Sequence, residues 1–181
     1  MKYFISLFVI SLLMMLVGCS DTGDDLSTLA PKNEESQVLS KQPVPFNGSM
    51  DGLVNPGGSV SCDPGWGTIN LEAEGEVLHC GRTTLYAENC SQATSQQGGE
   101  IENGFSTLTA ANGDQIYVAY SGTFVFDTYP PTMGTFSLTG TIIGGTGRFE
   151  GATGSIDIGG TQQYGGYPNP FSLTWTGTIE Y

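Results

Sequence analysis

The chain has 181 residues and a formal net charge of −13, with 18 acidic residues against five basic ones. So acidic a surface repels nucleic acid and anionic headgroups, which argues against nucleic-acid binding. The chain contains one histidine, and its cysteines are not spaced as in zinc sites, so the sequence offers no ligand cluster for metal-assisted catalysis. We expect no cofactor.

The first predicted element is an export signal over residues 1–18. Met1 and Lys2 precede an apolar run, Tyr3 to Val17. This run is shorter than the roughly 20 apolar residues of a membrane span, and it has the length of a signal-peptide core. It ends in Leu16-Val17-Gly18-Cys19, which resembles the lipobox of bacterial lipoprotein precursors. The resemblance implies cleavage before Cys19 and acylation of that residue; the alternatives are a plain secretory signal and an uncleaved anchor.

Residues 19–43 are predicted to be the lipidated cysteine followed by a disordered tether. This segment is polar and nearly free of aromatic residues, so it cannot bury enough apolar surface to fold alone. Several acyl chains on Cys19 would hold the protein on a membrane. The residue after the cysteine is Ser20 and not Asp. In lipoproteins of this kind, that residue type favours sorting to the outer membrane of the cell envelope. Beyond residue 18, four basic residues oppose 18 acidic ones, a formal charge of −14.

From residue 44 to residue 181 the sequence predicts one all-β domain. Apolar and polar residues alternate with the period of two that places successive side chains on opposite faces of a sheet. In the last segment Phe171, Leu173 and Trp175 share one face with Ile179. Eight strands are predicted, near 44–51, 66–75, 77–88, 103–111, 114–127, 134–143, 152–160 and 170–181.

Turn signals separate these strands. Asn112-Gly113 is a strong hairpin signal, Gly75 is taken to divide the second strand from the third, and a glycine-rich run from Gly144 divides the sixth from the seventh. Eight alternating strands in a chain of this length favour an eight-stranded antiparallel barrel, which leaves no free sheet edge. A two-sheet sandwich is the alternative that the same alternation permits.

Three cysteines lie in the domain, and export permits a disulfide between two of them. If the second and third strands pair around residue 76, Cys62 and Cys90 lie at the open end of that hairpin. A bridge there would close a loop of about 28 residues and contribute roughly 3 kcal/mol. Cys80 is then a buried or half-buried free thiol. Pairing through Cys80 remains the alternative.

Three stretches stand out, in this order: Gly75 to Arg82, Leu108 to Gln115 and Ile143 to Gly154. Together they resemble exported bacterial proteins of the allene oxide cyclase-like superfamily, which also contains the plant dirigent proteins. The third carries the GGTGRF-type turn, and the resemblance covers about residues 66–181. It implies an eight-stranded barrel with a central cavity in which some relatives cyclise or orient hydrophobic substrates without a cofactor. Relatives tend to carry Thr-His-Leu-Gly where this chain has Leu-His-Cys-Gly.

The turn from Gly144 to Phe149 has a structural interpretation of its own. Gly144, Gly145 and Gly147 permit positive φ angles and close backbone approach. Phe149 can then fold back as a plug on the barrel end, while Arg148 reaches a carboxylate or backbone carbonyls. A phosphate-binding loop is disfavoured because the Lys-Ser/Thr of a P-loop is missing.

The candidate pocket residues are His79, Tyr120, Phe136 and Trp175. Strand parity places His79 on the inner face, where an imidazole can act as a general base or bind a ligand; a core histidine bonded to a carbonyl is the alternative. Aromatic residues on the inner faces would line a pocket for an apolar molecule or simply fill the core. They are Phe105, Tyr120, Phe124, Phe126, Phe136, Phe171 and Trp175.

No catalytic residues can be assigned, since neither a nucleophile elbow nor a Ser-His-Asp set is present. The sequence therefore predicts a non-catalytic, lipid-anchored barrel of the cell envelope that binds a small hydrophobic ligand or a partner. The alternatives are a cofactor-free isomerase or cyclase acting in the barrel and a purely structural or interaction module. The oligomeric state is not fixed by the sequence.

Overall fold

The computed structural model describes residues 42–181, which form an all-β domain with nine strands and one short 3-10 turn. The strands are β1 (Val44–Pro45), β2 (Gly48–Pro56), β3 (Gly67–Val77), β4 (Gly81–Ser95), β5 (Gly98–Thr109), β6 (Gln115–Phe126), β7 (Met133–Gly145), β8 (Thr153–Gln163) and β9 (Asn169–Glu180), with the 3-10 turn over Gly147–Phe149.

Strands β2 to β9 close into an eight-stranded antiparallel barrel. Each strand pairs with the next in the chain, and β9 completes the ring by pairing with β8 on one side and with β2 on the other. The short β1 continues β2 along the same edge of β9, where Val44 faces Ile179. The predicted barrel is thus confirmed, with one extra strand.

Strand alternation explains the barrel interior. In β9 the buried residues Phe171, Leu173 and Trp175 alternate with exposed serine and threonine. The same period runs through β6, where Ile116, Val118 and Tyr120 are buried. One face of each strand therefore faces the core and the other faces solvent.

Gly75 does not end a strand. It lies inside β3 opposite Met50, and a Cβ there would overlap the backbone of Ser49 on β2. The glycine is therefore needed for close strand approach. The β3–β4 turn is instead Leu78 to Cys80, because Val77 pairs with Gly81.

Phe105 is exposed, contrary to the prediction, at 45% of its surface. The pairing of β5 with β6 shifts register between Ile101 and Gly104, and Asn103 there has a φ of 52°. An extra residue at such a bulge reverses the faces of all residues that follow it. Ser106 and Leu108 therefore take the inward positions.

The predicted signal peptide (1–18), the lipid site at Cys19 and the tether up to residue 41 lie outside the described residues. Their assignments stay predictions.

Candidate functional site

The barrel encloses an apolar cavity of about 70 Å³. Its walls come from seven of the eight barrel strands, β3 to β9. Leucine, isoleucine and aromatic side chains dominate the lining, including the predicted pocket residues Tyr120, Phe136 and Trp175. A mostly apolar concave space with few polar groups is typical of small-molecule sites.

A second, outer chamber of about 200 Å³ adjoins this cavity. The two spaces share Ile69, Ile101, Phe136 and Gln162 as lining residues. The outer chamber is also bordered by Tyr164 and by the exposed Tyr167 of the loop after β8. The interior therefore continues toward the barrel end that carries the loops 57–66, 127–132 and 164–168.

Few polar side chains face the inner cavity, and two of them lack a full set of partners. The Nδ2 of Asn89 donates to the Tyr120 hydroxyl over 3.0 Å, and that hydroxyl donates to the Glu88 carbonyl over 3.4 Å. The Oδ1 of Asn89 and the Nε1 of Trp175 are buried, and neither finds a hydrogen-bond partner among residues 42–181. An unpaired buried polar atom costs about 1–3 kcal/mol. Each of these two atoms has less than 1 Å² of accessible surface, so neither borders the open space of the cavity as the side chains stand.

Burial raises the pKa of Tyr120 from 10.0 to about 12, since the ionised phenolate would lose its hydration there. The hydrogen bond from Asn89 opposes this shift only in part. Tyr120 is therefore a neutral hydroxyl at physiological pH, able to donate or accept a hydrogen bond.

His79 lies outside the cavity, so its placement as a pocket residue was wrong. It sits in the β3–β4 turn with a φ of 70°, is exposed, and its Nε2 lies 3.0 Å from the carbonyl oxygen of Pro45. Strand parity failed because β3 ends at Val77 and β4 begins only at Gly81. The imidazole thus belongs to the far end of the barrel.

The glycine-rich turn seals that far end. Phe149 is fully buried, packs edge-on against Tyr181 with ring centroids 5.0 Å apart, and is covered by the Arg148 guanidinium at 4.6 Å. Arg148 also donates to the carbonyl of His79 and lies 3.8 Å from the carboxylate of Asp114.

The glycines of the same turn act as the sequence suggested. Gly144 and Gly147 have positive φ angles of 145° and 58°. A Cβ on Gly145 would press against Phe149 at 2.8 Å. A larger side chain at Gly145 would therefore require a shift of Phe149 or of the Gln115 backbone, and one at Gly147 would meet the Asp114 carboxylate.

Cys62 and Cys90 form a disulfide, with Cα atoms 5.6 Å apart, and Cys80 is a buried free thiol. The β3–β4 hairpin is centred on residue 79 rather than 76, so Cys90 pairs with Thr68, and Cys62 reaches it from the preceding loop. The bridge fastens the loop 57–66 near the open end. Burial raises the pKa of the Cys80 thiol to about 11, which keeps it protonated.

A second open-end loop, 127–132, is fastened by hydrogen bonds to Asp127. Its carboxylate accepts from the Met133 N–H over 2.9 Å and from the Thr132 hydroxyl over 2.8 Å. These bonds favour the ionised form and lower the pKa of Asp127 to about 2.

Within residues 42–181, no group of three or more His, Cys, Asp or Glu side chains is placed to hold a metal ion. In the same range no helix is long and apolar enough to cross a membrane.

Comparison with known proteins gives no relative: no protein-family model, curated protein or solved structure matches the chain. The allene oxide cyclase-like resemblance therefore stays a prediction beyond the barrel itself.

Sequence reasoning missed three polar cavity residues, Asn89, Ser106 and Gln162. Gln162 lies beyond residue 160, where the predicted strand ended. Asn89 follows Thr83, Leu85 and Ala87 on the inner face of β4, and this parity is visible in the sequence. The predicted strand stopped at 88, one residue before Asn89, whereas β4 runs to Ser95. Ser106 was hidden by the bulge at Asn103, for which the sequence gives no clear signal.

Proposed function

We propose that the protein is a non-catalytic binding barrel for a small, mainly apolar molecule. The observation that carries the proposal is the apolar interior, whose inner cavity and outer chamber adjoin and lead to one end of the barrel. An engineered apolar cavity of about 150 Å³ in another protein accepts benzene. The inner cavity here is about half as large, so a ligand of the size of benzene or larger must extend into the outer chamber.

The two ends of the barrel support the same reading. Among residues 42–181, the fully buried Phe149 fills the far end, while the loop end, fastened by the Cys62–Cys90 bridge and by Asp127, borders the outer chamber. A barrel that is closed at the Phe149 end and bordered by fastened loops at the other end is suited to holding a ligand.

The lipoprotein signal supplies the proposed location. With a lipid on Cys19, the barrel would be held at the cell envelope, on the outer membrane. The acidic chain, at a formal charge of −13, disfavours nucleic acid as a partner.

The cyclase alternative is weakened by the position of His79, since it invoked an imidazole inside the barrel. Of the inward Thr and Tyr hydroxyls that would steer the substrate in that alternative, the Tyr120 hydroxyl has its pKa raised to about 12, so it carries its proton at neutral pH and does not act as a general base.

The test is native mass spectrometry of the full chain purified from its own cells, combined with solvent extraction of bound small molecules. Ser106→Met places a longer side chain in the cavity, and Thr107→Met changes the next residue, which lies on the outer face of the same strand. We expect a co-purified apolar molecule in the original chain and in the Thr107 variant, and its loss in the Ser106 variant. Absence of any bound molecule, together with failure to bind added apolar probes, would leave only the structural-module alternative.

A further inference from the structure

We infer that the ligand is electrically neutral and carries a hydroxyl or carbonyl oxygen on an otherwise apolar skeleton. This inference rests on the proposed binding function and narrows it to one chemical class. It excludes fatty acids, phosphates and other anions as occupants.

The first argument concerns charge. The described part of the chain contains two cationic side chains, Arg82 and Arg148, and neither lines the inner cavity or the outer chamber. Arg82 is exposed and paired with Glu74 at 2.8 Å, and Arg148 is bound at the plugged end. A carboxylate inside the barrel would therefore be buried without a counter-charge, which is strongly unfavourable.

The second argument concerns the two unpaired polar atoms. The indole of Trp175 borders the cavity and is 4% exposed, and its Nε1 is a donor without a partner among residues 42–181. An oxygen atom on the ligand would accept that hydrogen bond after a small rotation of the indole, since the Nε1 atom itself has less than 1 Å² of accessible surface. A pure hydrocarbon would leave the donor unpaired.

Asn89 adds an acceptor closer to the open end. It is 2% exposed, follows the strand toward the disulfide at Cys90, and its Oδ1 is unpaired. The other atom of the amide is engaged by Tyr120, so one polar atom of Asn89 stays free whichever way the amide is turned. A hydroxyl satisfies either orientation because it both donates and accepts.

The third argument is that the neighbouring hydroxyl is itself neutral and buried. Tyr120 sits beside Asn89 and is 9% exposed. Cavity walls that present only neutral dipoles select neutral ligands, since charged ones lose their hydration without compensation.

The experiment compares three probes of one chain length, decanol, decyl chloride and decanoate. Each is titrated calorimetrically at a pH of about 8 into the full chain in lipid nanodiscs, with empty nanodiscs as the blank for partitioning. We expect decanol to bind about tenfold more tightly than decyl chloride, as one or two hydrogen bonds would provide. Decanoate should bind at least about a hundredfold more weakly than decanol, because of its buried charge.

Two variants test the hydrogen bonds. Trp175→Phe removes the Nε1 donor and Asn89→Leu removes the amide, and each should lower the decanol preference over decyl chloride several-fold. The control, Phe136→Leu, alters an apolar wall and should weaken both neutral probes alike. Circular dichroism establishes that each variant is folded, and the two polar variants serve as independent tests if one is not.

The outcomes separate the inference from the function beneath it. Tight binding of decanoate, or an unchanged preference for decanol in both polar variants, would overturn the neutral-oxygen inference while the binding barrel stands. Failure of all three probes in the original chain would count against the binding function itself.

Discussion

Replacing Phe149 by alanine should be the most damaging single change at the plugged end of the barrel. The side chain is 0% exposed, and its ring contacts Tyr181 at 5.0 Å and Arg148 at 4.6 Å. Truncating a buried phenylalanine to alanine costs about 3–5 kcal/mol, since the apolar contacts are lost and a cavity remains. We therefore expect a loss of about 4 kcal/mol in the free energy of unfolding.

That loss is large compared with the stability of a typical domain, about 5–15 kcal/mol. With a urea m-value of about 2 kcal/mol/M, the unfolding midpoint should fall by about 2 M. Urea titration followed by tryptophan fluorescence measures it, because Trp66 and Trp175 report the tertiary fold.

The matched control is Phe105→Ala. This phenylalanine is 45% exposed and stacks on Tyr117 at 6.1 Å on the outer wall. Its truncation should cost about 1 kcal/mol or less, since much of its surface is already in water. If the two variants lose equal stability, the plug does not contribute as its burial implies, and the reasoning is refuted.

Two further predictions concern the disulfide and the buried phenol. The Cys62–Cys90 bridge joins residues 28 positions apart. In the chain-entropy model, replacing both cysteines by serine should lower the free energy of unfolding, measured by urea titration, by about 3.5 kcal/mol. A loss below about 1 kcal/mol would show that the bridge does not restrain the unfolded chain in this way. The pKa of Tyr120 is raised from 10.0 to about 12, so its stabilising contribution is complete below pH 10.0 and is lost as the pH rises through about 12. The Tyr120→Phe variant should lose less stability over this pH range. The loss that remains is due to Tyr164, whose pKa is also raised to about 12. If the free energy of unfolding falls with pH as steeply in the variant as in the original chain, the assignment to Tyr120 is contradicted.

The barrel was predictable because its strands alternate cleanly and one face of each is buried. The segment from Phe171 to Ile179 shows this best, since no bulge interrupts its pairing with β8. The hairpin at Asn112-Gly113 was equally clear, and there Gly113 adopts a φ of 89°.

What the sequence could not show were local departures from that period. The turn at His79 contains no proline, asparagine or glycine before Gly81, so it reads as strand. The bulge at Asn103 reversed the faces of Phe105 and Ser106. The size of the cavity could not be predicted from the sequence, because it depends on how side chains from seven strands fill a common space.

Phe149 closes one end of the barrel that residues 42–181 form, so the interior is a pocket rather than a channel. A molecule inside it must leave by the way it came, so the loops 57–66, 127–132 and 164–168 set both the rate of arrival and the rate of departure. Changes to loops 57–66 and 127–132 should then alter how fast an occupant exchanges and leave the equilibrium, which the walls determine, largely as it was. Changes at Tyr164 or Tyr167 of loop 164–168 should alter the affinity as well, because these residues border the outer chamber.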